Sequence, residues 1–334
     1  MSNISEFNLI DIIKKTYNEN KVINTDLNYF GIGDDCALFN FFDSSNNEDW
    51  AISKDLLIEN QHFFSDIDPY KLGYKSLAVN LSDLAAMGAT PCFFLIGIAL
   101  PAINNEWINR FNQGVLDLSK LHNCILIGGD TTKSNNDIII SITVIGKVAK
   151  NLALKRNNAQ INEDIWVSGC LGDARLALGK KLYTWQLSDD IFNNIINKLE
   201  LPTPRIELGK KLLHAASSCL DISDGLLGDL QHILTSSNKS ANIYLENIPI
   251  SDYLKSQTQD IINICSLSGG DDYELCFTAP SNNKQQILNI STELNLPLTI
   301  IGNVITKQAE SIILYDKGNK LNVELFKSFD HFNK

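Results

Sequence analysis

The sequence lacks any excess of positive charge: 28 Lys and Arg stand against 39 Asp and Glu, for a net charge of −11. A cationic face that follows a nucleic-acid backbone is therefore not expected. No Cys-x-x-Cys occurs, and the seven cysteines, an odd number, sit mostly in apolar runs such as Cys124-Ile-Leu-Ile. They read as buried free thiols in a reducing compartment. The start, Met-Ser-Asn-Ile-Ser-Glu, has neither the basic nor the apolar stretch of a secretion signal. Leu84 to Ile103 carries no charge and is long enough on paper to cross a bilayer. Gly88, Pro91, Gly97 and Pro101 punctuate it, which fits a helix end, a turn and a buried strand better. A cytoplasmic protein, away from nucleic acid and membrane, is expected.

Familiar nucleotide motifs are missing too. Gly179-Lys180-Lys181 lacks the upstream glycine and the Ser/Thr of a P-loop, and Gly31-Ile-Gly33-Asp-Asp-Cys36 lacks the last glycine of a dinucleotide fingerprint. Neither a protein-kinase catalytic loop nor Gly-x-Ser-x-Gly is present. Any nucleotide is expected at another kind of site, led by metal.

What is present is a chain of 334 residues, 44% hydrophobic and 20% charged, enough for about two domains with a sizeable core. Helical spacing marks Ile4–Asn18, Pro69–Met87 and Asn105–Leu121, and strand-like runs mark Tyr29–Ile32, Trp50–Ser53, Phe93–Leu100, Cys124–Ile127 and Ile138–Val148. Asn40–Asn47 reads as a surface loop. The pattern breaks near Lys147–Asp164 and restarts with a strand at Ile165–Ser168. Helices are then expected near Ala174–Leu182, Ile206–Ala216 and Leu226–Leu234, with strands at Ala241–Leu245, Glu274–Ala279, Leu298–Val304 and Ser311–Tyr315. Two mixed α/β domains, 1–150 and 151–334, follow.

Most notable acids share one arrangement, an apolar run, a small residue, then Asp. They are Gly33-Asp34-Asp35, Ser53-Lys54-Asp55, Gly129-Asp130, Asp221-Ile-Ser-Asp224-Gly225 and Gly270-Asp271-Asp272. Any one is ordinary turn chemistry. Five together point to carboxylates at emerging strand ends, gathered by a cation, and oxygen donors without His or Cys favour Mg²⁺. Asp83 lies in a helix whose Leu77, Ala78, Leu81, Leu84 and Ala85 face a core, sharing a face with Asn80. A buried helical Asp needs a partner, either a metal or a backbone donor. Ser223 or Asp224 suits a helix N-cap, beside an N-terminus that suits phosphate; Asp229, one turn on, reads as solvated. Lys54, Lys75, Lys133 and Arg156 are ordinarily solvated cations, and a phosphate would suit Lys133 or Arg156. His62 reads as structural on its own.

Six blocks carry a family resemblance: Gly-Ile-Gly-Asp-Asp-Cys-Ala-Leu (31–38), Asn-Leu-Ser-Asp-Leu-Ala-Ala-Met-Gly-Ala (80–89), Ile-Gly-Gly-Asp-Thr-Thr (127–132), Asp-Ile-Ser-Asp-Gly-Leu (221–226), Leu-Ser-Gly-Gly-Asp-Asp-Tyr-Glu-Leu-Cys-Phe (267–277) and Phe-Asp-His-Phe (329–332). Together they resemble thiamine-monophosphate kinases, within the wider aminoimidazole-ribotide synthetase-like superfamily. The resemblance implies a two-domain α/β fold of that type, N-terminal domains paired in a homodimer, and ATP with several Mg²⁺ in the interdomain cleft. Position by position, it implies metal ligation by Asp35, Ser53, Asp55, Asp83, Asp130, Asp221 and Asp224. It implies nucleotide contacts from Gly129, Asp130, Arg156 and Ser223, and substrate contacts from His62, Asp271 and Phe329. Three positions depart from the family pattern: Lys54 for Thr, Asp271 for Glu, and Phe329 for Tyr or Trp. A protonated Lys54 cannot ligate a cation, though its ammonium would replace part of that ion's charge.

The implied reaction is in-line transfer of the ATP γ-phosphoryl group to thiamine monophosphate. No residue is expected as base or nucleophile, because the acceptor phosphate is already ionised. A selenophosphate synthetase would need a reactive N-terminal cysteine, and a hydrogenase maturation factor a C-terminal one; neither is here. A silent nucleotide-binding homologue is the rival from another class.

Overall fold

The computed structural model describes residues 29–30, 33–39, 47–323 and 326. The expected helix at Ile4–Asn18, residues 40–46 of the expected loop, and Phe329 lie outside these. Among the described residues no helix is long and apolar enough to cross a membrane.

Among the described residues the first half is a six-stranded sheet backed by two helices. Its strands are β1 (Tyr29–Phe30), β2 (Ala37–Phe39), β3 (Glu48–Ile58), β4 (Thr90–Leu100), β5 (Ile125–Lys133) and β6 (Ile139–Ala149), in the order β1-β2-β3-β6-β4-β5. All neighbours are antiparallel except β4 and β5. The helices are α1 (Pro69–Ala86) and α2 (Asn105–Leu121). α1 starts where the Asp68 carboxylate accepts the Tyr70 amide at 2.9 Å, with Pro69 at the first position, where no amide is needed. It is apolar on nearly every side because it touches β3, β6, α2 and the second half of the chain. α1 and α2 cross through Gly73 and Gly114. A Cβ on either would collide with a main-chain carbonyl of the other helix, Phe111 and Tyr70 respectively.

Alternation assigns the two faces of this sheet. Ala51 and Leu57 of β3 and Ile140, Ile142 and Val144 of β6 are buried on the helix side. Among the described residues no helix covers the opposite face, and Leu56 and Leu95 are exposed on it. At its edge, every residue of β5 is exposed, including Ile125, Leu126 and Ile127.

The second half contains a seven-stranded sheet. Along the chain run β7 (Asp164–Ser168), α3 (Asp173–Lys181), α4 (Asp189–Glu200), α5 (Ile206–Leu212), β8 (Ser218–Asp221), α6 (Leu226–Ser236), β9 (Lys239–Tyr244), α7 (Asp252–Lys255), α8 (Gln259–Ser268), β10 (Leu275–Ala279), α9 (Lys284–Leu294), β11 (Leu298–Thr306), β12 (Ile312–Asp316) and β13 (Asn319–Leu321). The strand order is β13-β12-β9-β11-β7-β10-β8. Within β7, Ile165 and Val167 join α6 in one core. Trp166, stacked on Phe277, faces the other way, into a core continuous with α1 and the first sheet. This shared core seats α1 against both halves and brings its C-terminal turns to the end of β8.

Candidate functional site

Three carboxylates meet at that junction. Asp35 comes from the bend before β2, Asp83 from α1, and Asp221 from the last position of β8; one oxygen of each lies within 4.8 Å of the others. Hydroxyls hold two of them. Ser53 donates to Asp83 Oδ2 at 2.5 Å and Ser82 donates to Asp221 Oδ2 at 2.6 Å. Asn80 does something else: its side-chain oxygen accepts the Asp55 amide at 3.0 Å, and its Nδ2 donates to the Ser76 carbonyl. It straps α1 to β3.

Burial and neighbouring carboxylates push Asp83 and Asp221 toward their protonated forms. Asp83 is raised well above the ordinary carboxylate value by burial, then by the charges of Asp55, Asp221 and Asp35. Asp221 is pushed to about 8, first by burial and then by Asp35. Asp55 is pushed to about 6 by burial and by Asp224, so Asp224 completes the acidic cluster from the loop after β8. That loop is held by Asp229, whose Oδ2 accepts the amides of Ser223, Asp224 and Gly225, each at 3.0 Å. The expected solvated Asp229 is thus corrected to a buried one. The expected cap from Ser223 or Asp224 is also absent, because Gly225 at φ 116° opens α6.

Arg156 lies against the same cluster. Its Nη2 donates to Asp35 Oδ1 at 2.7 Å, and its backbone amide donates to Asp34 Oδ2 at 3.0 Å. Asp34, one of the acids the sequence pattern picked out though not one the resemblance assigned a role, is raised to about 7 by burial and by Asp35.

The expected substrate residues lie on neighbouring loops. Asp271 sits at φ 67°, its amide donating to the Ser223 carbonyl at 2.8 Å, so the Gly-Gly-Asp loop is laced to the loop after β8. Its Oδ1 accepts Lys75 Nζ at 2.8 Å, which makes Lys75 a buried cation rather than a solvated one. Asp272, expected among the acids, instead accepts the Gly172 amide at 3.0 Å and fixes the turn before α3. His62 Nδ1 accepts the Ile58 amide at 2.9 Å in the turn after β3.

Two residues fall elsewhere. Gly129 and Asp130 lie inside β5, which runs on to Lys133, so Asp130 is not at a strand end as the pattern implied. Asp55 is likewise inside β3. Asp130 is in register with Gly97, Gly97 with Ser141, and Ser141 with Leu56. Registered neighbours share a face, and Leu56 is on the open one. Asp130 therefore lies on the side of the sheet away from Asp83, about 14 Å of strand spacing from β3. Lys54 is on that open face too, donating to Ser141 Oγ at 2.6 Å, because period two turns it away from Ser53 and Asp55.

Ser82 is the member that sequence spacing missed, and Lys75 the one it read only as a solvated cation. Both are ordinary helix residues, and only the fold supplies their partners.

Comparison with known proteins gives the same outline. Residues 33–148 match the N-terminal domain of AIR synthase related proteins and residues 180–315 the C-terminal domain. The thiamine-monophosphate kinase of Haemophilus influenzae is 40% identical, covering 99% of each chain. That of Escherichia coli (strain K12) is 38% identical over 90% of this chain and 91% of its own. Among solved structures, AaThiL complexed with AMPPCP and TMP has a TM-score of 0.82 and 30% identity, covering 99% of this chain and 98% of that one. Hydrogenase maturation protein HypE in complex with ATP has a TM-score of 0.69 at 17% identity over 81% of this chain and 83% of that one, a likeness of fold alone.

Proposed function

This chain belongs to the thiamine-monophosphate kinase family, and from that membership we propose that its acidic cluster is where ATP phosphorylates thiamine monophosphate, giving thiamine diphosphate and ADP. The observation that carries the reading is the convergence of Asp35, Asp83 and Asp221 within 4.8 Å, largely shielded from solvent and without a nitrogen or sulfur donor in the group. Such a set fits Mg²⁺: the donors are hard oxygens, and burial with mutual repulsion raises the protonation of Asp83 and Asp221, a cost that a divalent cation relieves. Asp35, Ser53, Asp55, Asp83, Asp221 and Asp224 are the residues that would hold several such ions. When bound, Mg²⁺ neutralises and aligns the phosphates.

The chain's own groups have a simple task. The acceptor phosphate has a second pKa of about 6 and is largely ionised at pH 7, so no base must deprotonate it. Arg156 and Ser223 contact the nucleotide from this chain and Gly129, on the distant β5, from a second copy, while His62, Asp271 and Phe329 hold the thiamine portion. Two polyanions are brought into line, and γ-phosphoryl transfer is direct.

The open face of the first sheet supports a homodimer, since Leu56, Leu95 and the exposed edge of β5 are apolar surface that a second copy would cover. In that assembly Asp130, lying on the open face, serves the cluster of the second copy. The division at 150/151 coincides with the end of the first sheet at Ala149. Seven free cysteines suit the cytoplasm.

The test is ADP formation by purified protein with ATP and Mg²⁺, with and without thiamine monophosphate. Acceptor-dependent ADP matched by thiamine diphosphate in the mass spectrum is expected. Nucleotide binding without turnover would overturn the reading in favour of a silent homologue.

A further inference from the structure

We propose that Lys75 is a positioning residue that selects the acceptor, fixing Asp271 so that one carboxylate oxygen faces the organic end of thiamine monophosphate. The inference rests on the proposed function and adds to it a residue that touches neither substrate nor phosphate.

Lys75 is the one buried lysine among the described residues, its side chain 3% exposed. A buried ammonium is tolerated only against a partner, and its partner comes from the other half of the chain: Asp271 Oδ1, at 2.8 Å. The Tyr273 hydroxyl donates to the same oxygen at 3.4 Å. Both internal donors use Oδ1. Asp271 Oδ2 accepts no hydrogen bond among the described residues, and the side chain is 27% exposed. The carboxylate is thus anchored through one oxygen and offered through the other, on a left-handed backbone tied to Ser223.

The helix also sets a distance. Lys75 and Ser82 are two turns apart on α1, about 10.5 Å along its axis. Ser82 holds Asp221, and its neighbour Asp83 is in the acidic trio. One rigid rod therefore spaces the phosphate end of the site from the Asp271 end. Thiamine monophosphate matches that polarity: a phosphate at one end, a cationic thiazolium and an aminopyrimidine toward the other. Hydrogen-bond donors and positive charge are what an unshared carboxylate oxygen accepts.

Steady-state kinetics on the full-length enzyme test this with Lys75→Met, Asp271→Asn and the double variant, alongside binding of AMPPCP. Lys75→Met is expected to raise KM for thiamine monophosphate about tenfold or more, with kcat within about threefold of wild type and AMPPCP affinity unchanged. The double variant is expected to resemble Asp271→Asn alone, because both remove one interaction. If Lys75→Met does not fold, Lys75→Gln, which keeps a donor of shorter reach, replaces it in the same cycle. Multiplicative effects, an unchanged KM, or a joint fall in kcat and nucleotide affinity would overturn the proposal. Absence of acceptor-dependent turnover in the wild type would instead overturn the proposed function.

Discussion

At the scale of single residues, several acids at the site work against the fold that carries them. Asp34, Asp55 and Asp221 are held near 7, 6 and 8, above the 3.8 of an unfolded aspartate. A carboxylate raised in the folded state contributes stability below its unfolded value and loses it as pH rises through the folded value. The ligand-free protein is therefore expected to melt at least about 3 °C lower at pH 8.5 than at pH 5.5, and saturating Mg²⁺ to remove that loss. Calorimetry in EDTA and in Mg²⁺ checks it; a flat profile in EDTA would refute the picture of repelling acids. Asp83→Asn removes a carboxyl that burial and its acidic neighbours hold well above its unfolded titration. It is expected to raise the EDTA melting temperature at pH 8.5 while lowering kcat at least about 100-fold, measured on the same preparation. Asp35 and Asp221 were legible in the sequence because acids recur where apolar runs end, and Asp83 because an acid inside an apolar helix breaks a local rule. Ser82 and Lys75 break none. Their partners lie 139 and 196 residues away, and spacing along one helix cannot report that.

Most elements with a regular pattern were legible, but not all. α1 ends within one residue of its expected bound, whereas β5 continues through Gly128-Gly129-Asp130-Thr-Thr, which local chemistry reads as a turn. An edge strand tolerates such residues because only one side must pair. α4 went unread although Ile191, Phe192, Ile195 and Leu199 keep the helical period and Ser188 caps it at the Ile191 amide. The crossing of α1 and α2 yields an element-scale prediction. Gly114→Ala is expected to cost about 1–3 kcal/mol in urea unfolding, because the added methyl separates two helices in main-chain contact. A loss under 0.5 kcal/mol would mean the crossing relaxes freely.

At the scale of the whole molecule, the question is which chain's cluster Asp130 serves. Asp130→Asn and Asp83→Asn chains are each expected to be nearly inactive alone. Mixed one to one and allowed to exchange, they should recover about a quarter of wild-type turnover, since half the dimers would hold one complete site. No recovery would return Asp130 to its own chain's site, or to no site. Two domains and their mixed α/β character could be read from alternating patterns, but the side of the sheet on which Asp130 lies depends on the register of four strands. No local window contains that register.

β3 shows what this arrangement asks of inheritance. Ser53 and Asp55 serve the acidic cluster while Lys54 and Leu56 belong to the open face, so a single strand is read from both sides at once. Losing or gaining one residue within it would exchange the two sets, sending Lys54 among the carboxylates and Asp55 out to the bare side. Drift in this strand can proceed by replacement, position by position, but not by a one-residue change in length.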